Sequence, residues 1–320
     1  MEILVQARER LGPRKILATA ATNTAIDHIT VQLVARGLQP LRVGERASGQ
    51  AKKRSLEALL ANDQGLNTAV RHSSKWQKRA MELINSADVI CVTAAGAGQS
   101  LLNKLQFDLV VVDEAAQATE PCCLIPIMRA SSSSRIVLVG DHKQLGPSVT
   151  PVAAELGLGQ PLFGRLPVHY LLDTQYRMHP VLTEFSSKTF YQGKLASAVQ
   201  PLERPLPPGF DWPNPKEGPV AFIQVAGRER LGTGGSKYNL EEVMIVVQIV
   251  KDLLAAKDFS GDPLPKKVKR EDIGVITPYS AQVHALKTDI PPGVEVNTVD
   301  GFQGREKEVI IFSAVRCNGY

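Results

Sequence analysis

The sequence predicts an α/β protein of two lobes, each a mainly parallel β-sheet flanked by helices. Short runs rich in Val, Ile and Leu alternate with stretches of helical periodicity, the pattern of strands joined by crossover helices. Some of those runs are apolar at every position, as a strand buried on both faces requires. Gly157, Gly159, Pro161, Gly164 and Pro167 then crowd residues 157–168 and divide the alternation in two. A chain of 320 residues is long enough for two cores, one in each half.

In the first half, residues 1–160, apolar and β-branched clusters predict strands at Lys15–Ala20, Asp88–Val92, Leu109–Val112 and Arg135–Val139. Helical spacing places helices near Ala25–Arg36 and Trp76–Asn85. The serine run Ser131–Ser134 reads as a turn. In the second half, residues 165–320, strands are expected at Tyr170–Asp173, Val220–Val225, Ile273–Thr277 and Val309–Ala314. Helices fall near Pro180–Thr189 and Leu240–Ala256. The latter opens with Asn239 and has Glu242 three residues on, the arrangement of a capping box. Pro201–Pro219, rich in Pro and Gly, reads as a surface loop.

Composition narrows the function classes. Hydrophobic residues make up 43% and charged residues 22%, the balance of a globular chain. No apolar run approaches the roughly 20 residues that span a bilayer. Val243–Ala256 comes nearest, and Gln248, Lys251 and Asp252 interrupt it. Glu2, Arg8, Glu9 and Arg10 exclude a signal peptide at the N-terminus. Cys91, Cys122, Cys123 and Cys317 lack metal-site spacing and suggest no disulfide framework, which fits an intracellular compartment, cytoplasmic or nuclear. The net charge of +5 favours an anionic partner only weakly. Between Arg42 and Arg79, nine Lys or Arg face three Asp or Glu, which gives either a solvated helical face or a phosphate-facing surface.

Four segments hold the chemistry. In Leu109-Val110-Val111-Val112-Asp113-Glu114 a buried strand delivers two acids to its C-terminal end, where α/β sheets bind ligands. There Asp113 can hold magnesium against nucleotide phosphates and Glu114 can deprotonate an attacking water, unless the pair is only a solvated strand end. A second run, Val137-Leu138-Val139-Gly140-Asp141, reads as another buried strand and leads to Gln144. Its amide both donates and accepts, so it can bridge a γ-phosphate and a water, or merely occupy a polar turn. The third segment is Gln175-Tyr176-Arg177-Met178-His179-Pro180. Here Arg177 can stabilise charge on a phosphoryl group, Tyr176 offers a face for adenine, and His179 suits a structural hydrogen bond. In Gly301-Phe302-Gln303-Gly304-Arg305-Glu306, glycines allow close approach to a phosphate and Glu306 can accept from a ribose hydroxyl, though a Gly-x-x-Gly alone usually means a turn.

Taken in order, VVVDEAAQATEP, VGDHKQLGPSV, QYRMHP, VITPYSAQ and VDGFQGREKEVIIFSAVR resemble the superfamily 1 helicases of the up-frameshift group, relatives of the senataxin and immunoglobulin-mu-binding helicases. ADVICVTAAGAG and FYQGKL extend the match between motifs. The resemblance implies two RecA-like lobes of P-loop NTPase architecture, residues 1–160 and 165–320, with ATP in the cleft. It implies ATP and magnesium as cofactors, with Asp113 on the metal, Glu114 as base, Gln144 and Arg177 at the γ-phosphate, Tyr176 near adenine, Gly304 near the phosphates and Glu306 on the ribose. It further implies that Thr22, Asn23, Thr24 and Thr93, and in the second lobe Thr277, Pro278, Tyr279 and Thr298, contact single-stranded RNA or DNA. The expected activity is 5′ to 3′ translocation by a monomer, with protein regulators acting through flanking regions. A short basic insertion near residues 42–86 stands where relatives carry an accessory domain.

The chain also departs from the group. Members carry a Gly-x-x-x-x-Gly-Lys-Ser/Thr loop before the Asn23 motif, and Met1-Glu2-Ile3-Leu4 resembles the inside of the helix that follows that loop. A later Arg-rich motif is likewise absent before Tyr320. The expectation is therefore a fragment that hydrolyses ATP poorly by itself, or, as the competing reading, a module that binds nucleic acid or protein without turnover. Gly232-Thr233-Gly234-Gly235-Ser236-Lys237 imitates a phosphate loop but has Lys237 where the second glycine is required, and reads as an ordinary loop. Pro265–Arg270 imitates a nuclear-import cluster and reads as a solvated loop before Ile273.

Overall fold

The computed structural model describes residues 1–12, 15–62, 73–167, 170–256 and 267–316. The chain falls into two compact units, Met1–His169 and Tyr170–Tyr320. In the first, α1 (Glu2–Leu11), β1 (Ile16–Ala20), α2 (Asn23–Ala35) and β2 (Pro40–Arg42) lead to α3 (Leu56–Ala61) and α4 (Ser74–Ser86). After these come β3 (Val89–Thr93), β4 (Phe107–Asp113), α5 (Glu120–Ile127) and β5 (Ala130–Leu138), then the short α6 (Pro151–Glu155) and α7 (Leu162–Arg165).

All five strands are parallel, in the order β2-β3-β1-β4-β5. Side chains alternate across the sheet, and both faces are covered, as the apolar runs require. Leu17, Val110 and Val112 pack on one face with Leu56, Leu60, Ala80 and Ile84 of α3 and α4. Ile16, Ala18, Leu109 and Val111 pack on the other with Leu4 of α1 and Ile26, Ile29 and Leu33 of α2. Helix starts follow capping chemistry: the hydroxyls of Thr22, Ser55 and Ser73 each accept a first-turn N–H.

β5 differs from expectation. It is an edge strand rather than a buried one, with Ile136 45% exposed. The serine run lies inside it. Between the pairs Phe107↔Ala130 and Leu109↔Arg135, β4 advances two residues while β5 advances five. Ser131–Ser134 bulges outward there, and the Ser134 hydroxyl donates to the Ser131 carbonyl at 2.8 Å.

The second unit contains β6 (Thr174–Gln175), α8 (Pro180–Phe190), β7 (Ala196–Ser197), β8 (Arg230–Leu231), β9 (Lys237–Tyr238) and α9 (Leu240–Ala255). These are followed by β10 (Ile273–Thr277), α10 (Ser280–Asp289), β11 (Glu295–Thr298) and β12 (Val309–Phe312). Its main sheet is parallel, β11-β10-β12. Val246, Val250 and Leu253 of α9 and Leu286 of α10 close its core over Ile273, Val275 and Val296.

Two expected strands do not form. Tyr170–Asp173 forms no strand, although the Asp173 carbonyl accepts from the Ala196 amide at 2.7 Å, leaving only the two residues of β6, and among the described residues Val220–Val225 has no strand partner, with Phe222 85% exposed. β-branched composition suits a half-buried pleat, but a ladder partner makes the strand. The capping box at α9 is also half right. Asn239 accepts from the Glu241 and Glu242 amides, while the Glu242 carboxylate turns to the Ser313 hydroxyl and the Val315 amide. The Pro201–Pro219 stretch is more than surface, because Phe210 packs on the core and Gly209 lies against α9.

Candidate functional site

The first cluster of polar groups stands at the C-terminal edge of β4 and β5. Leu109–Val112 are buried, and the next residues, Asp113 and Glu114, emerge half-buried. Glu114 adopts φ 49°, ψ 41°, which turns the chain back. The Ala115 amide then donates to Val139 O at 2.8 Å, and the Val139 amide donates to Val112 O at 2.8 Å. This stitches the two strand ends together. Gly140 permits the close approach: a Cβ there would lie 3.0 Å from the Ala116 nitrogen. Beyond it Gln144 Nε2 donates to Asp141 Oδ2 at 2.8 Å. Burial, then the charges of Asp113 and Asp141, push the Glu114 carboxyl above its ordinary range.

Oxygen donors crowded this way suit a hard cation that takes one or two carboxylates and completes its shell with phosphates. No cluster of three or more His, Cys, Asp or Glu suited to a metal exists among the described residues. A self-sufficient protein cage is thus not built here, and a cation shared with a phosphate ligand is the arrangement the residues fit.

A second cluster lies at the ends of β1 and β3. Thr22 caps α2, Asn23 and Thr24 follow it, and Thr93 ends β3 opposite Ala20. Here an open pocket of about 390 Å³ is lined by Asn23, Arg42, Gly44, Glu45, Arg46, Thr93 and Gln99.

In the second unit, Gln175 shapes the Arg177 turn. Its Oε1 accepts from the Arg177 and Met178 amides at 2.8 and 2.7 Å, and its Nε2 donates to Ser197 Oγ at 2.7 Å. Tyr176 is exposed, and Arg177 forms an ion pair with Glu306. His179 Nδ1 accepts from the Val181 amide, a structural cap on α8. Gly304 has φ 74°. Thr277 and Thr298 stand side by side at the ends of β10 and β11. Thr277 is wholly buried, whereas Pro278 is exposed and Tyr279 and Thr298 are half-buried.

Residues 158–320 match the family described as AAA domain, and residues 51–151 match a second family of the same description. The regulator of nonsense transcripts 1 homolog of Drosophila melanogaster is 35% identical over 95% of this chain and 28% of its own length. The ATP-dependent helicase NAM7 of Saccharomyces cerevisiae is 36% identical over 98% of this chain and 35% of its own. The chain belongs to the AAA-domain family. It spans about a quarter to a third of the length of the relatives it matches. Among solved structures, the Pyrococcus furiosus Hef helicase domain is similar at 19% identity and TM-score 0.26, over 44% of this chain and 25% of that one.

Within this family's frame the structure revises the basic stretch. Arg42 does not face solvent or ligand with its full charge: it is 1% exposed and paired with Asp27 at 2.7 Å. Arg54 donates to Pro40 O, and Arg79 pairs with Glu82. Arg46, which is exposed, is the other basic residue of this stretch that lines the pocket. One of the two imitations resolves plainly. Gly232–Lys237 forms the link of the β8–β9 hairpin, where Lys237 pairs with Glu229. Pro265 and Lys266 lie outside the described residues, as does Cys317. Cys91, Cys122 and Cys123 are free thiols, and burial pushes Cys91 up to about 12. No helix among the described residues is long and apolar enough to cross a membrane.

Proposed function

We propose that this chain forms part of an ATP-driven motor that steps along single-stranded RNA or DNA, 5′ to 3′, inside the cell. The observation that carries this reading is the Asp113–Glu114 pair at the end of buried β4, tied to the β5 end that presents Gln144. A carboxyl raised by burial and by neighbouring carboxylates is suited to take a proton near neutral pH. On this reading Glu114 draws the proton from an attacking water that Gln144 orients. Asp113 would hold magnesium, which supplies charge neutralisation at the transferring phosphate. Arg177 stabilises the same charge, Tyr176 stacks on adenine, Gly304 approaches a phosphate and Glu306 takes the ribose. Asn23, Thr93, Tyr279 and Thr298, with Thr22, Thr24 and Pro278 beside them, hold the strand through phosphates and sugars, which carry no sequence information. The buried Thr277 acts by positioning Tyr279 and Thr298.

Each charge-assisted phosphate contact contributes roughly 1.5–3 kcal/mol, and a Gly-x-x-x-x-Gly-Lys-Ser/Thr loop supplies several at once. This 320-residue sequence contains no such loop. The expected behaviour of the purified chain is therefore strand binding with ATP turnover at background. Fluorescence anisotropy with mixed-sequence RNA and DNA 12-mers tests the first part. Affinity should vary little with sequence and fall with salt, log K against log salt having a slope of about −0.7 per phosphate neutralised. No binding to either strand would overturn the reading. Steady ATP turnover abolished by Glu114→Gln would overturn the expectation of background hydrolysis while supporting the role of Glu114.

A further inference from the structure

Tyr176 and Arg177 are exposed, yet the backbone that carries them is fixed from two sides. On one side Gln175 Oε1 accepts from the Arg177 and Met178 amides. On the other, Arg204 takes the carbonyls. Its Nε donates to Arg177 O at 2.9 Å and its Nη2 to Tyr176 O at 3.3 Å. The two peptide groups that flank the Arg177 Cα therefore have both N–H and C=O engaged by protein side chains. Burial obliges backbone groups to find partners, but an exposed turn can leave them to water. The grip on this turn is thus more than burial demands.

Arg204 is aimed by a short turn of its own. Pro201–Glu203 forms a 3-10 turn in which the Glu203 carboxylate accepts from the Gln200 amide at 2.6 Å and the Arg204 amide donates to Pro201 O at 3.1 Å. The remaining guanidinium nitrogen, Nη1, donates to Glu203 O at 3.0 Å. Gln175 is anchored in turn, its Nε2 donating to Ser197 Oγ and to Met178 O at 2.7 and 2.9 Å. A guanidinium holds its donors in a rigid planar fork, so one side chain can meet two successive carbonyls, as the point charge of a lysine does not. The Arg177 side chain stands in contrast to its backbone. Its guanidinium makes an exposed ion pair with Glu306, a contact of small worth that an incoming phosphate can exchange.

We propose that Arg204 is a positioning residue for Arg177: by holding the carbonyls on either side of its Cα, it presents the Arg177 guanidinium to a nucleotide phosphate from a backbone that is already fixed. The inference rests on the reading of Arg177 as a phosphate contact and adds the residue that prepares that contact. Less conformational freedom is then lost when phosphate binds. Arg204 acts through Arg177, since its Nε and both Nη nitrogens already have protein acceptors.

The test uses the whole chain, labelled with nitrogen-15 at arginine, and titrates it with magnesium and ATP in the millimolar range. Saturation transfer to the ATP protons gives affinity, and the Nε–Hε signal of Arg177, assigned with Arg177→Lys, reports the contact itself. Arg204→Ala is expected to weaken ATP binding about tenfold, within the range of coupled neighbours. Arg204→Lys keeps the charge without the fork and should behave like Arg204→Ala. Beside Arg177→Ala, Arg204→Ala should have no further effect. Added guanidinium chloride, well below denaturing concentration, should restore the Arg177 response in Arg204→Ala, a recovery that a loosened fold would not show. Thermal melting reports the folding of each variant separately. If Arg204→Ala or Arg204→Lys binds ATP as wild type does, if the Arg204 and Arg177 effects add, or if guanidinium restores nothing, the proposal falls. The reading of Arg177 then still stands wherever Arg177→Ala weakens binding. If wild type binds no ATP, or Arg177→Ala binds it as well as wild type, that reading and the proposal fall together.

Discussion

Glu114 combines two costs that a surface residue avoids. Its left-handed backbone costs an L-residue about 1–2 kcal/mol, and its carboxyl is held above the ordinary range by burial and by Asp113 and Asp141. The folded group thus keeps its proton to higher pH than the unfolded one. Its contribution favours the fold fully below the unfolded value and is lost as pH rises through the folded value. Glu114→Gln removes the penalised charge. Its melting temperature should exceed wild type at pH 7, and the gap should close below about pH 4, where the unfolded glutamate also holds its proton. A variant no more stable than wild type at pH 7 would show that the charge is not penalised. The acid pair itself was readable in the sequence because four apolar residues announce the strand that delivers it. Arg42 was not readable. It sits among basic residues, and its burial depends on Asp27, fifteen positions earlier, a pairing that no local pattern reveals.

Among the elements, β10 shows how tightly the second sheet is made. Gly274 pairs with both β11 and β12, and a Cβ there would lie 2.7 Å from Phe302 Cζ and 3.0 Å from Ile310 Cδ1. Gly274→Ala forces those side chains aside and should destabilise the protein by about 1–3 kcal/mol, read from the midpoint of urea unfolding. A neutral result would mean that Phe302 and Ile310 move freely. The four helices that were expected lie within a few residues of α2, α4, α8 and α9, with Asn239 marking the start of the last, whereas α5 and α10 were not anticipated. Strands were legible only where both faces are apolar and a partner exists. Val220–Val225 has the composition of a strand and no ladder, whereas Ser131–Ser134 has the composition of a turn and is carried within β5 as a bulge by pairing to β4 on either side. Partner availability is a property of the whole sheet and is invisible to a local window.

At the scale of the whole molecule, the cores of the two units share no residue. Leu17→Ala empties space in the first and Leu253→Ala in the second, and each should cost about 2–5 kcal/mol. Because the sites have no common neighbours, the double variant should cost the sum to within about 0.5 kcal/mol by chemical denaturation. A larger discrepancy would reveal coupling that the separate cores do not provide. The order of the motifs along the chain made the family legible. Among the described residues no strand pairs with the open side of β5, and such an edge can template addition of a strand from another molecule. Ser131–Ser134 and Arg135 keep that edge polar and irregular, so they act as guards against self-assembly. Replacing them with apolar residues should make the chain precipitate at lower concentration than wild type.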